Sequence, residues 1–307
     1  MTTRIPDSVP APCRQRLVAH YGDAVHTWLD SIPDLLRTAA ERWHLSLGDY
    51  HDAGHASVIA LAPAEAGCRV IVKAWADPVR FHREIQALRL WTDGPAARVI
   101  AVADDLAVAV LETVGGHPGG AARPAREEMR VASAIQQLHG RGRVAALPHA
   151  FPPLSAFLND EVLPRIRHRA IVLGLHKHRH FIGNELRMLG DLAERRERRT
   201  VLHADLYREN ALFDEAGRPV LIDPLPMAGD AAFDWAFWSV YYDVGRRTHY
   251  RLTTAAQTSG IPASEILPWC RLLALDGLLY YLDTHDPRAT RMAQTLTRLA
   301  EGTGDLP

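Results

Sequence analysis

The feature that most constrains the fold is the glycine-rich segment Gly115–Gly120 (GGHPGG), which divides the 307-residue chain into two differently patterned parts. Glycine and proline at this density are typical of a linker. Short apolar runs separated by turn signals precede the segment, as expected of β-strands. Helical periodicity follows it. We therefore predict a β-rich lobe over residues 1–111, a hinge over 112–120 and a larger helical lobe over 121–307.

The first lobe begins with helical periodicity over residues 1–45 and then changes character. Four β-type runs follow, with a helix-period stretch, Pro78–Trp91, between the second and the third. We expect a small antiparallel sheet that carries one helix. The predicted strands are Ser57–Leu61, Arg69–Ala74, Arg98–Ala103 and Leu106–Leu111.

The second lobe is predicted to be mainly helical, with one β island over Val201–Asp223 that comprises a strand, a loop and a hairpin. Together the two lobes give an α+β fold with no internal repeat. The predicted helices are Pro124–His139, Pro153–Arg169, His178–Arg198, Phe233–Val244, Ala263–Leu282 and Arg288–Glu301.

Composition excludes several classes of protein. A net charge of −1 argues against a nucleic-acid partner. The longest apolar stretch, Val99–Val114, is interrupted by Asp104 and Asp105, and about 18 apolar residues are needed to span a bilayer. The N-terminus lacks the apolar core of a signal peptide. The three cysteines form no CxxC pair, which argues against structural zinc and suits a reducing compartment. We expect a cytoplasmic protein that contacts no membrane.

Three oxygen-bearing side chains in the β island point to phosphoryl transfer. Asn210 and Asp223 are 13 residues apart with a turn midway, so a hairpin would bring both to the same end, beside Asp205. Two carboxylates and an amide oxygen are ligands that suit Mg²⁺. The island therefore predicts a magnesium site that works on a phosphorylated substrate.

The motif HxDxxxxN at His203–Asn210, followed by Ile222-Asp223-Pro224 and by GDxxxD at Gly229–Asp234, resembles the aminoglycoside phosphotransferases, which are relatives of protein kinases. The segments IPDLL, RWHL, GHAS, LRLW and LET occur in an order similar to that of the streptomycin 6-phosphotransferase and hydroxyurea phosphotransferase branch. The resemblance implies a bilobal protein-kinase-like fold. It also implies transfer of the ATP γ-phosphoryl group to a hydroxyl of an antibiotic-like acceptor, with an aminoglycoside such as streptomycin favoured.

The same resemblance assigns roles to five residues. Asp205 would be the catalytic base that accepts the proton of the acceptor hydroxyl, and Asn210 and Asp223 would bind Mg²⁺. Lys73 would hold the α and β phosphates of ATP, with Glu84 as its ion-pair partner. Lys73 is one of only two lysines in a chain with 35 Lys and Arg residues, which supports a specific role for it.

Other positions match the family less closely. The backbone at Glu112 and Val114 would meet the adenine edge. The loop before Ser57 has one glycine where a phosphate loop has several, so it is a weak signal of phosphate cradling by the backbone. Ser57 itself is still expected to contact a phosphate oxygen. Two residues after the base the chain has Tyr207, so a γ-phosphate contact there would come from Tyr207 or Arg208.

Two alternative functions stay open at this point. His203 and Asp205 also fit a metal-dependent hydrolase, and the whole pattern fits a catalytically inactive nucleotide-binding module. Within the kinase interpretation, His203 is expected to be structural, and Asp230 and Asp234 to be scaffold residues, with Asp230 supporting the catalytic loop.

The acceptor site is the part that the motifs describe least. Asp276, Tyr280 and Asp283 share one face of the last-but-one predicted helix, and the two carboxylates could hold two separated cations of an aminoglycoside. The cation-rich segment Arg165–Arg199 argues against a cationic acceptor if it borders the same cleft. The sequence leaves the oligomeric state open.

Overall fold

The structure, a computed structural model, describes residues 5–52, 56–63, 69–116, 118–143, 150–193 and 198–301, without the side chains of residues 179, 189–191 and 193. The loop residues 53–55 and the hinge residue His117 lie outside the described residues. The chain forms two compact units. The first comprises Met1–Pro124 with Leu212–Ile222, and the second comprises Ala125–Ala211 with Asp223–Pro307.

A five-stranded antiparallel sheet is the centre of the first unit, with strand order β1-β2-β3-β5-β4. The middle strand, β3, pairs along its length with β2 on one side and β5 on the other. It is therefore the strand least free to shift. The strands are β1 (Tyr50–His51), β2 (Ser57–Pro63), β3 (Arg69–Trp75), β4 (Val99–Ala103) and β5 (Val108–Glu112).

Strand β3 has two different faces because successive side chains of a strand point to opposite sides. Val70, Val72 and Ala74 belong to an apolar core shared with the N-terminal helices α1 (Ala11–Tyr21) and α2 (His26–Arg42). Helix α3 (Pro78–Leu90) also packs against β3. Its first turn is capped by Asp77, whose carboxylate accepts a hydrogen bond from the Val79 N–H at 2.8 Å.

The second unit is mainly helical, and β6 (Arg199–Leu202) and β9 (Met227–Asp230) form a short antiparallel pair within it. A π-helical segment, Leu158–Val162, joins α5 to α6. Every residue of α8 is buried, so this helix is the core of the unit. The helices are α4 (Glu127–Gly142), α5 (Leu154–Phe157), α6 (Leu163–Val172), α7 (Arg179–Ala193), α8 (Ala232–Tyr241), α9 (Thr248–Ser259), α10 (Ala263–Asp283) and α11 (Arg288–Glu301).

The β-hairpin of β7 (Ala211–Phe213) and β8 (Pro219–Leu221) belongs to a different unit from the one expected from the predicted lobe boundaries. The sequence places it inside the second lobe, whereas Leu212–Ile222 belongs to the first unit. The reason is backbone hydrogen bonding, because the Leu221 N–H donates to the Pro95 carbonyl at 2.7 Å and the Phe213 carbonyl accepts from Ala121 at 2.7 Å. The first unit also extends to Pro124, past the predicted hinge.

The α+β class predicted from the sequence is confirmed, with the antiparallel sheet in one unit and most helices in the other. Three of the helices and strands in the described residues were not predicted: β1, α9 and β9. Helix α9 (THYRLTTAAQTS) contains four threonines, which have low helix propensity, so packing against α8 and α4 stabilises it instead. No helix among the described residues is long and apolar enough to cross a bilayer.

Candidate active site

Lys73 and Glu84 form a buried ion pair in the first unit. The Lys73 Nζ atom lies 2.6 Å from Glu84 Oε1, and the two residues are 3% and 1% exposed. Strand β3 carries the lysine and helix α3 carries the glutamate. The Trp75 indole N–H donates to the second oxygen, Glu84 Oε2, at 2.7 Å. Because both oxygens of the buried carboxylate are hydrogen-bonded, the charge of Glu84 is stabilised without water.

Three further predicted residues lie on the same sheet or directly after its strand β5. Ser57 begins β2 opposite Trp75 and is buried. Glu112 ends β5, where its backbone N–H donates to the Arg98 carbonyl at 3.0 Å and its carboxylate accepts from the Arg98 N–H at 2.9 Å. Val114 follows at the start of a short 3-10 helix. These contacts fix the backbone at the end of β5, where the sequence predicts adenine binding.

The loop between β6 and β7 brings Asp205 and Asn210 together in the second unit. The Asn210 amide nitrogen donates to both Asp205 Oδ2 and the Asp205 carbonyl, at 2.8 Å each. A short 3-10 helix, Arg208–Asn210, makes this approach possible. Asn210 therefore orients the predicted base, and its amide oxygen remains the atom that suits a cation.

Asp223 lies two residues after β8, and Asn210 lies one residue before β7. The hairpin closes at Asp214, whose N–H donates to the Arg218 carbonyl at 3.0 Å. The hairpin therefore returns the chain to the end at which Asn210 stands, as the sequence spacing predicted.

Two non-glycine residues of this region have left-handed backbone, Ala204 with φ of 57° and Asp223 with φ of 55°. Such a conformation costs about 1–3 kcal/mol and persists where neighbouring groups determine it. For Ala204 the neighbouring group is the Asp234 carboxylate, which accepts from the His203 N–H and the Ala204 N–H, both at 2.8 Å. Asp234 thus sets the backbone immediately before Asp205.

The structure corrects the expectation that Asp230 supports the predicted catalytic loop, which carries Asp205. Asp234, not Asp230, holds the loop; Asp234 is fully buried, and His139 Nε2 lies 2.9 Å from Asp234 Oδ2. Asp230 instead binds Arg198, with distances of 3.1 and 3.0 Å, and accepts from the Ala232 N–H at 3.0 Å. The difference arises because Asp230 ends β9 and faces the start of β6, whereas Asp234 lies in the first turn of α8.

The donor atoms of this region fit Mg²⁺ only together with a phosphorylated ligand. Within the described ranges, no group of three His, Cys, Asp and Glu side chains is placed to hold a metal ion. Mg²⁺ prefers one or two carboxylates and completes its shell with phosphate oxygens and water. Asp223 and Asn210 match that preference, so they would bind an ion that arrives with nucleotide phosphates.

Tyr207 and Arg208, the residues that follow the base, are engaged with the second unit. The Tyr207 ring packs against Phe237 and Tyr241, with ring centres 5.2 and 5.4 Å apart. Burial raises the pKa of the Tyr207 phenol well above its ordinary value, and the Asp205 charge adds to this. The hydroxyl is therefore neutral and can act as a hydrogen-bond donor. Arg208 pairs with Glu127, its Nε 2.9 Å from Oε1.

The predicted acidic face on α10 is paired with two arginines of α6. The Arg165 Nε atom donates to both oxygens of Asp276, at 3.0 and 3.1 Å, and Arg169 Nη1 lies 3.4 Å from the same carboxylate. Arg169 Nε also lies 3.6 Å from Asp283, and its guanidinium stands 5.0 Å from the ring centre of Tyr280. Asp276 is 5% exposed, so its carboxylate is a buried ion-pair partner and not a solvated group.

Comparison with known proteins decides the family. Residues 42–261 match the model of the aminoglycoside/hydroxyurea antibiotic resistance kinases. The chain belongs to this family. It is a small-molecule phosphotransferase of bilobal kinase-like fold, as the motif resemblance implied.

Curated relatives agree with this family. A streptomycin 6-kinase of Streptomyces glaucescens is 22% identical over 312 residues, which cover 94% of this chain and 96% of the relative. A streptomycin 6-kinase of Streptomyces griseus is 24% identical over 217 residues, covering 69% of this chain and 68% of the relative. Of the predicted site residues, Asp276, Tyr280 and Asp283 lie beyond the matched family range, and the others lie inside it: Ser57, Lys73, Glu84, Glu112, Val114, Asp205, Tyr207, Asn210 and Asp223.

Solved structures share the fold at low identity. An aminoglycoside phosphotransferase of Alicyclobacillus acidocaldarius superposes with a TM-score of 0.57 at 15% identity, covering 83% of this chain and 92% of that chain. An ethanolamine kinase of Plasmodium vivax gives a TM-score of 0.60 at 12% identity, covering 96% and 95%. The hydrolase alternative loses its support, since the His203 ring is 1% exposed and the family consists of kinases.

Proposed function

We propose that this protein transfers the γ-phosphoryl group of ATP to a hydroxyl of an antibiotic-like small molecule, and that an aminoglycoside of the streptomycin type is the first acceptor to test. The observation that carries the proposal is the Asn210 amide holding Asp205 at 2.8 Å in a loop whose backbone Asp234 sets. The two streptomycin 6-kinases support the choice of acceptor.

In this mechanism Asp205 accepts the proton of the acceptor hydroxyl as that oxygen attacks the γ-phosphorus. The bond between the γ-phosphorus and its bridging oxygen breaks, and ADP leaves with the electron pair. Asn210 keeps the Asp205 carboxylate in one orientation throughout. Asn210 and Asp223 would hold Mg²⁺, which would neutralise part of the phosphate charge.

The residues of the first unit bind the nucleotide. Lys73 holds the α and β phosphates through its ammonium group, which the Glu84 carboxylate orients. The backbone of Glu112 and Val114 meets the adenine edge, and the Ser57 hydroxyl contacts a phosphate oxygen. A catalytically inactive module would have no need of Asp205, Asn210 and Asp223 together with Lys73, which favours the active enzyme.

A second candidate acceptor is a neutral hydroxyl compound, of which hydroxyurea is an example. The observation that favours it is the pairing of Asp276 and Asp283 with Arg165 and Arg169. A cationic acceptor would have to compete with two guanidinium groups of the protein for the same carboxylates. A neutral acceptor would face no such competition.

A panel of acceptors tests both candidates. The purified protein would be incubated with Mg·ATP and, separately, streptomycin, other aminoglycosides and hydroxyurea, and each product examined by mass spectrometry for one added phosphoryl group. Phosphorylation of streptomycin supports the first candidate, and phosphorylation of hydroxyurea alone supports the second. ATP binding without transfer to any hydroxyl compound would overturn the proposed activity.

A further inference from the structure

Trp75 contacts both members of the Lys73–Glu84 ion pair. Its Nε1 atom lies 2.7 Å from Glu84 Oε2, while Lys73 Nζ lies 2.6 Å from Glu84 Oε1. Lys73 Nζ also lies 4.7 Å from the centre of the Trp75 ring, within the range of a cation–π interaction. Each of the three side chains therefore touches the other two. As whole residues, none of the three is more than 3% exposed.

The strand fixes the direction of the indole N–H. Lys73 and Trp75 are separated by one residue on β3, so both point to the same face of the sheet. The Trp75 backbone N–H donates to the Ala107 carbonyl at 3.1 Å, and its ring packs edge-on against Phe81, with ring centres 5.2 Å apart. An indole has only two side-chain torsions, so these contacts leave the donor little freedom.

Glu84 gains its orientation from this donor. Lysine and glutamate are both long and flexible, and a single contact between them would leave the carboxylate free to rotate about the ammonium group. A second hydrogen bond, from a rigid donor to the other oxygen, removes that freedom. It also removes the penalty of leaving a buried carboxylate oxygen without a partner.

We propose that Trp75 is a positioning residue for phosphate binding by Lys73: the indole N–H holds Glu84 so that the ammonium group stands in place before nucleotide arrives. This inference rests on the proposed role of Lys73. Its consequence is specific, because Trp75 then contributes to recognition of the phosphates and not of the adenosine moiety.

Trp75→Phe tests the inference, because it keeps an aromatic ring and removes only the N–H donor and part of the ring. We expect the Kd of Mg·ATP to rise about tenfold, the scale of one lost hydrogen bond to a charged group, while the Kd of adenosine stays within twofold. Both constants would be measured by isothermal titration calorimetry on the full chain without acceptor. An equal loss for ATP and adenosine would overturn the inference.

Phe81→Leu is the matched control. It loosens the packing around the same indole and removes no donor, so the melting temperature should fall while the Kd of Mg·ATP rises clearly less than in Trp75→Phe, by threefold at most. If Phe81→Leu weakens Mg·ATP as much as Trp75→Phe does, packing alone explains the effect and the inference is wrong.

A double variant tests whether Trp75 acts through Glu84. In a Glu84→Gln background the charge that orients Lys73 is gone, so adding Trp75→Phe should change the Kd of Mg·ATP by less than twofold. Full additivity of the two losses would overturn the inference. Lys73→Met tests the proposed function separately: an unchanged Kd of Mg·ATP in that variant would remove Lys73 from phosphate binding, whatever Trp75→Phe does.

Discussion

The surroundings of Lys73 and of Asp205 differ in how they hold a functional side chain. Lys73 and Glu84 stand on a regular strand and a regular helix, and they contact each other directly at 2.6 Å. Asp205 stands on irregular backbone, next to Ala204 in the left-handed conformation. Its position depends on Asp234, which is buried and binds the N–H groups of His203 and Ala204.

This difference indicates which substitutions should impair nucleotide binding, turnover and stability at each site. Around Lys73, a change to either charged partner leaves the other charge buried without its ion-pair partner, so nucleotide affinity and folding stability should fall together. Around Asp205, the proposed base and the carboxylate that shapes its backbone, Asp234, belong to separate residues. Turnover and stability should therefore respond to different substitutions.

Asp205→Asn should have the largest effect, because it removes the proposed base and keeps the size of the side chain. We expect kcat to fall about 10²–10⁴-fold while the Kd of Mg·ATP stays within threefold. Steady-state kinetics and calorimetry would measure the two. Asp160 is an exposed acid in the π-helical segment. Asp160→Asn is the control and should change neither kcat nor the Kd of Mg·ATP. Turnover at the wild-type rate in Asp205→Asn would exclude Asp205 as the base.

Lys73→Arg should weaken Mg·ATP binding about 10–100-fold, nearly as much as Lys73→Met. A planar guanidinium is larger than an ammonium and cannot fill the same buried space between Glu84 and a phosphate. The other lysine of the chain supplies the control: Lys177→Arg changes an exposed residue and should leave the affinity unchanged. Calorimetry on both variants makes the comparison. Tight binding by Lys73→Arg would mean that the ion pair is structural.

Asp223→Asn should raise the Mg²⁺ concentration needed for half-maximal nucleotide binding about tenfold. Asparagine tolerates the left-handed backbone found at this position, so the substitution removes charge without adding strain. Asp223→Ala would remove the charge and add backbone strain at the same time, so the two effects could not be separated. A magnesium titration at fixed ATP measures the shift, and an unchanged titration curve would remove Asp223 from the metal site.

Asp234→Asn separates backbone support from chemistry. Asparagine offers one acceptor oxygen in place of two, so the N–H of His203 or Ala204 loses its partner, at about 1–3 kcal/mol of stability. We expect kcat to fall about tenfold as well, since Asp205 loses its fixed position. Asp230→Asn is the paired variant. Glu265 also binds Arg198, at 2.6 Å, so Asp230→Asn should lower the free energy of unfolding by less than Asp234→Asn does and leave kcat within twofold. Denaturant unfolding measures the stability difference. Equal kcat losses in both would contradict the assignment of the support to Asp234.

The regular parts of the molecule were the predictable parts. The spacing of apolar residues predicts β3, α3 and the β-island hairpin. The motif resemblance then selects the proposed site residues, Lys73, Glu84, Asp205, Asn210 and Asp223. The prediction that Asp230 supports the loop was wrong, because the support depends on which carboxylate faces the loop once α8 begins, and that carboxylate is Asp234. The GDxxxD spacing contains that signal, since its second acid lies inside the helix.

The acceptor face shows what a sequence pattern omits. Helical spacing correctly places Asp276, Tyr280 and Asp283 on α10, but their partners come from α6, more than 100 residues earlier in the chain. No local pattern reports such a pairing. The excess of cationic residues in Arg165–Arg199 was the one sequence signal of this pairing. The structure pairs Arg165 with Asp276 and Arg169 with Asp283.

Asp283→Asn should have the smallest effect and is the one that separates the two candidate acceptors. Asp283 is 38% exposed at its side chain and 3.6 Å from Arg169, so its charge is worth about 0.2–1 kcal/mol to a partner in water. If streptomycin binds through this carboxylate, its KM should rise about 2–5-fold with the KM of ATP unchanged. Asp286→Asn, at the same end of α10, is the control; Arg288 holds the pKa of that carboxyl at about 2, and its loss should leave both constants alone. An unchanged streptomycin KM in Asp283→Asn would show that the arginines of α6 already satisfy this face, and a neutral acceptor would then be the better candidate.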